Sequence, residues 1–201
     1  MIARLALVLA SVIALVSAGS GGAAAPPVRS LAGELLVATP DMRDPRFART
    51  VIYMVRHDQS GAQGFVVNRP LREVPLARLL DQMRMESAGA TGSVRLHSGG
   101  PVEPLRVFVL HTSDYAGGET EAVKHGVSVT FSPDILSAMA QGKGPRRSRI
   151  VLGYAGWASG QLEAEIEAGA WVRAGSDEPM LFDADDEKKW ERAQSRQKID
   201  L

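Results

Sequence analysis

Short apolar runs, separated by polar breaks with Gly or Pro, recur along most of the chain. Glu34–Ala38, Thr50–Arg56, Gly64–Val67, Arg106–Thr112, Val127–Phe131 and Arg149–Tyr154 are rich in Val, Ile, Leu, Phe and Tyr. Gly, Pro or Asn stands near many of their ends, a pattern that predicts strands. Val107–Leu110 and Ile150–Leu152 are apolar at consecutive positions, as strands covered on both faces would be. Elsewhere the period is helical. Pro75–Glu86 places Leu76, Leu79, Leu80 and Met83 on one face. Ser132, Pro133 and Asp134 supply a hydroxyl cap, a first-turn proline and a first-turn acid. They open a helix that carries Ile135, Leu136 and Met139 and stops at Gly142. In Gln161–Ala168, Leu162 and Ile166 fit either period, and the Glu and Ala content decides for helix. A last helix is predicted from near Asp183, presenting Trp190 and Ala193. No internal repeat is visible, and the elements do not alternate as βαβ units. The fold class expected is therefore a single α+β domain.

The first residues follow a different rule. Arg4 precedes Leu5–Val16, twelve residues that are apolar except for Ser11. Such a run is shorter than the roughly 20 residues that span a bilayer. It matches the apolar segment of a secretory signal peptide over residues 1–18, with Val16, Ser17 and Ala18 as a small-residue exit. Ala23–Ala25 offers a later exit, so cleavage falls anywhere up to residue 25. Residues 19–30 are Gly-, Ala- and Pro-rich and read as a flexible linker, and residues 31–201 as the folded domain. The expected product is periplasmic or secreted. With no cysteine to carry a lipid, it keeps no stable membrane anchor after cleavage. The alternative is a misassigned start codon, at Val28 or Leu31, and a cytoplasmic protein.

Composition narrows the chemistry. The 201 residues hold 23 basic and 23 acidic side chains and no cysteine. That excludes a disulfide scaffold, a thiolate zinc site and a thiol nucleophile. Zero net charge argues against sequence-specific nucleic-acid binding. The dense basic stretch Gly142–Arg149 (Lys143, Arg146, Arg147, Arg149) reads as a solvated loop at a helix C-terminus rather than an anion site. Ser159 stands one place too late for a nucleophile elbow in Gly156–Gly160. The acids of Asp183–Glu187 read as a helix start. Glu163 and Glu167 read as a solvated face with no histidine pair at metal-ligand spacing. No catalytic residue, metal or cofactor is expected. His57 and His111 end apolar runs, where binding residues and sheet-edge caps both occur; His97 and His125 fall in loops.

Four stretches, in order, resemble one family. They are Pro40–Phe47; His57–Pro70; Gly99–Val102 with Leu110 and His111; and Gly153–Ile166 with Trp171. Together they are similar to the AlgH/YqgE family of bacterial proteins, over about residues 31–200. The resemblance implies a mixed, bifurcated sheet partly closed into a small barrel and packed by helices. It implies no established activity and no catalytic residues. His57, Asn68, Gly99, Gly100, His111, Trp157, Gln161 and Glu165 fall on its motif positions and form the candidate ligand-binding set. The family also carries a transcription-regulator label, at odds with an export leader. The expectation is a non-enzymatic binding or regulatory domain working outside the cytoplasm with a protein partner. One alternative is an enzyme or small-ligand binder using a polar pocket near His57, Asn68 and His111. The other is a cytoplasmic regulator, if the start codon is misassigned. Trp157 and Trp171 are expected to fill core, because Ala168, Gly169 and Ala170 leave room for a large ring.

Overall fold

A computed structural model describes residues 29–197. The leader at 1–18 and most of the linker at 19–30 lie outside the described residues. In chain order the elements are β1 Leu35–Ala38, β2 Val51–Asp58, β3 Gly61–Val66, β4 Pro70–Pro75, α1 Leu76–Gln82, β5 Ser93–Ser98 and β6 Val102–Thr112. They continue with β7 Thr120–Ala122, β8 Val127–Thr130, α2 Asp134–Ala140, β9 Ser148–Ala158, α3 Gln161–Glu167, β10 Trp171–Ala174, α4 Glu178–Phe182 and α5 Lys189–Gln194. The main path of the sheet runs β10-β1-β2-β3-β9-β6-β8-β7, and the β4–β5 hairpin joins it at β9.

β9 is where the sheet forks. Along one edge it pairs with β6. Along the other, Ile150–Leu152 pair in parallel with β5, while Ala155–Ala158 pair antiparallel with β3. The expected mixed, bifurcated sheet is present, curled into a half-barrel with five helices against it.

Period-two side chains sort the core by face. Leu35, Val37, Val51, Tyr53, Phe65, Phe108, Leu110 and Val151 form one cluster with Met180 and Leu181 of α4 and Ala193 of α5. The alternate residues Leu36, Ala38, Ile52, Met54 and Val66 face the other way, with Trp157, Leu162 and Trp171. A third cluster joins Val109 and Ile150 to α1 and α2. Consecutive apolar residues in β6 and β9 thus serve two faces, as their pattern predicted.

Elsewhere the structure corrects the pattern. α1 ends at Gln82 rather than Glu86, because Arg84 adopts a left-handed backbone at φ 59° and breaks the helix. α2 begins at Asp134 with Pro133, not Ser132, at its N-cap, and Ser132 Oγ one residue earlier accepts from the Asp134 N–H at 3.2 Å. The last helix does not start near Asp183. That residue closes α4, whose cap is Asp177, accepting from the Met180 N–H at 2.8 Å, and α5 begins only at Lys189. Asp183 and Asp186 are drawn into ion pairs, with Lys189 and Arg192 and with Arg149, while Asp185 accepts from the Lys188 N–H at 3.2 Å just before α5.

Candidate ligand-binding cleft

The chain turns from β9 into α3 so that Gln161 and Glu165 stand one helical turn apart at the mouth of a cleft. Gln161 Oε1 accepts from the Ala158 N–H at 3.1 Å, tying the helix to the strand it follows. Its amide then donates to Glu165 Oε1 at 2.9 Å. Two tryptophans complete the arrangement from either side of α3. The indole N–H of Trp157, at the end of β9, donates to Glu165 Oε2 at 2.9 Å, and that of Trp171, at the start of β10, at 2.8 Å. The two indoles meet edge-on at 6.0 Å, and Phe47 packs edge-on against Trp171 at 5.6 Å. The tryptophans therefore fill core, as expected, while their polar edges organise a carboxylate. Asp41–Phe47 forms the opposite wall of the cleft, which measures about 1020 Å³.

The remaining motif positions lie elsewhere. A bulge between Met54 and Arg56 shifts the register of β2, and His57 ends up beside α3. Its Nδ1 accepts from the Leu31 N–H at 3.2 Å, and its Nε2 faces Glu163 Oε1 at 2.7 Å. Asn68 bridges backbone, accepting from the Val51 N–H at 2.8 Å and donating to the Arg49 carbonyl at 2.9 Å. Gly99 and Gly100 allow β9 to approach. A β-carbon on Gly99 would meet the Gly153 carbonyl at 2.3 Å, and one on Gly100, at φ 153°, the Tyr154 backbone at 2.1 Å. His111 pairs with Ser148 at the first residue of β9, whereas His57 lies level with Trp157 at its far end. The structure therefore does not gather His57, Asn68 and His111 into one pocket.

A family model described as AlgH-like matches residues 35–201. The chain belongs to the AlgH-like family. A UPF0301 protein of Afipia carboxidovorans is 44% identical over 179 residues, covering 85% of each chain. Another, from Caulobacter vibrioides, is 46% identical over 165 residues, covering 81% of this chain and 85% of that one. The solution structure of the AlgH protein from Pseudomonas aeruginosa aligns with a TM-score of 0.72 at 40% identity, covering 83% of this chain and 88% of that one. A Corynebacterium diphtheriae protein, 23% identical with a TM-score of 0.65 over 84% of this chain and 87% of that one, shares the fold.

Sequence reasoning missed a second polar cluster in this AlgH-like domain. His97 lies in β5, not in a loop, and is buried with Arg149 of β9 and Asp186 of the segment before α5. His97 Nε2 is 3.1 Å from one Asp186 oxygen, and Arg149 Nη1 donates to the other at 2.8 Å. Arg149 is thus no part of a solvated basic loop, and Arg146 and Arg147 both pair with Glu178. The wall Asp41–Phe47 was legible as a family stretch but yielded no candidate site residue.

His111 is fully buried in the AlgH-like core, its Nδ1 donating to the Thr112 carbonyl and its Nε2 facing the Thr130 hydroxyl, both at 2.8 Å. Burial pushes its pKa below the ordinary histidine value, opposed by the bond to Thr112. The unfolded chain keeps that ordinary value, about 6.5. As pH falls through it, the unfolded state gains a proton that the folded state refuses, so this stabilisation is complete above pH ~6.5 and is lost below it. Melting temperature should therefore fall between about pH 7 and 5, and His111→Gln should flatten that slope. Parallel slopes for parent and variant across the range would remove His111 as the cause.

Proposed function

We propose that the protein is a non-enzymatic binding domain that works outside the cytoplasm and holds its ligand in the cleft between α3 and Asp41–Phe47. The observation that carries this reading is the Trp157–Gln161–Glu165–Trp171 arrangement. Two motif positions and one neighbouring ring meet at the carboxylate of a third, with every donor already in place before a ligand arrives. Binding then needs little ordering of side chains, which favours affinity. The leader pattern of residues 1–18 supports export.

Equilibrium dialysis of the pure protein against a small-molecule extract of its native host, read by mass spectrometry, tests this. A compound should be retained and recovered unchanged, and retention should disappear in Gln161→Ala. Recovery of a converted compound would replace the binding domain with an enzyme, and retention indifferent to Gln161 would move the site elsewhere. Protein isolated from that host should begin between about residues 19 and 26, the span of small-residue exits. A chain beginning at Met1 in the cytosol would remove the export claim.

A further inference from the structure

We infer that the cleft recognises an alkylammonium group, seated against the Glu165 carboxylate and walled by Phe47, Trp157 and Trp171; this rests on the cleft being the binding site. The first ground is charge. Glu165 is half-buried, and its three hydrogen-bond donors are all neutral: two indole N–H groups and one amide. Among the described residues no Lys, Arg or His forms an ion pair with it. Neutral donors stabilise a carboxylate without cancelling its charge, so the cleft keeps a localised negative end.

The second ground is valence. An ionised carboxylate offers about four acceptor positions. Oε2 uses two on the indoles and Oε1 uses one on the amide. One position on Oε1 remains for a donor. The third ground is the walls. Phe47, Trp157 and Trp171 line the same cleft, and the Phe47 ring already carries one cation, the Arg46 guanidinium 5.9 Å from its centroid. Aromatic faces attract cations through their quadrupole, and Met42 adds a soft apolar surface for an alkyl stem.

The wider lining agrees. Asp41, Asp44 and Glu165 outnumber Arg43 and Arg46, and Asp44 and Arg46 satisfy each other at 2.7 Å. An anionic ligand would meet Asp41 and Glu165 with only Arg43 left to offset them, and a neutral one would leave Glu165 without a counter-charge.

The test follows the indole N–H signals of Trp157 and Trp171 by nuclear magnetic resonance, with Trp190 as internal control. The probes are n-butylammonium, its neutral analogue 1-pentanol, the anion pentanoate and a capped Gly-Lys-Gly peptide. Butylammonium should shift the two signals saturably and leave Trp190 still. Pentanol and pentanoate should not. Raising salt from about 20 to 300 mM should weaken butylammonium binding severalfold, a readout that needs no variant. Glu165→Gln, close in shape, should weaken it about tenfold or more, the ordinary worth of a charge-assisted bond. Tighter binding of the peptide would assign the ammonium to a lysine side chain, and tighter binding of butylammonium to a free amine.

Equal shifts from pentanol or pentanoate would overturn the ammonium inference and leave the cleft standing as the site. Silence from every probe would also overturn it. The cleft itself falls only if dialysis shows no retention that depends on Gln161.

Discussion

Arg149→Ala should lower the melting temperature by roughly 10 °C, the scale set by about 3–5 kcal/mol for breaking a buried ion pair at 2–4 °C per kcal/mol in a domain of this size. Arg149 and Asp186 each keep only 4% of their side-chain surface exposed. The guanidinium does more than pair with the carboxylate. It donates to the Leu181 carbonyl at 2.7 Å and to the Asp183 carbonyl at 2.8 Å, binding the end of α4 to β9. Burial pulls the pKa of Arg149 down while Asp186 opposes that pull. Burial likewise works to raise Asp186, but the bond from His97 and the charge of Arg149 outweigh it and hold its carboxyl below the ordinary value.

Truncating Arg149 leaves Asp186 with His97 and with Arg95, 3.8 Å away, and leaves two carbonyls without their donor. Removing both charges at once is a different matter. Arg149→Met with Asp186→Leu leaves no orphaned ion, and such apolar replacements are often neutral. The double variant should therefore recover a large part of what Arg149→Ala loses in thermal melts. Loss below about 1 kcal/mol in Arg149→Ala would mean that water reaches Asp186, contrary to its burial.

The same arginine shows where sequence reasoning stopped. In β9, Arg149 shares its face with Val151, so a charge stood in a stretch buried on both faces. That signal was present and was absorbed into the basic stretch beside it. Its partners were not legible, because 52 residues separate it from His97 and 37 from Asp186. Strands β2, β6 and β8 were visible because buried faces demand apolar residues. β4 was invisible for the opposite reason. None of Pro70–Pro75 is fully buried, prolines stand at both its ends, and backbone pairing with β5 holds it in place. At the cleft, the helix assigned from its Glu and Ala content put Gln161 and Glu165 one turn apart, and their motif positions marked them. That two indoles converge on Glu165 depends on β10 returning beside α3, and β10 is four residues long. Unlike the equally short β8, whose four residues are all buried, β10 buries only its two ends and carries Arg173 inside it, so it leaves no apolar run to read.

Trp171→Ala should cost about 3–5 kcal/mol, again roughly 10 °C of melting temperature. The ring is 2% exposed and packs with Trp157, Leu162 and Leu36 in the cluster beneath the cleft. Phe47 leans on it from the Asp41–Phe47 wall, so its loss opens a cavity in the core and frees one side of the cleft. Trp171→Phe separates the two roles of the residue. It keeps an aromatic ring in the core while deleting the N–H that holds Glu165 at 2.8 Å and part of the indole's volume. That change should cost about 1.5–3 kcal/mol, the scale of one hydrogen bond to a charged group, and less than Trp171→Ala. Trp190, whose N–H donates to the Ala38 carbonyl at 2.8 Å, provides the comparison of an indole bonded to backbone outside the cleft. If Trp171→Ala melted within about 2 °C of the parent, the ring would not be carrying the core, and its packing against Trp157 and Phe47 would have to serve the ligand instead.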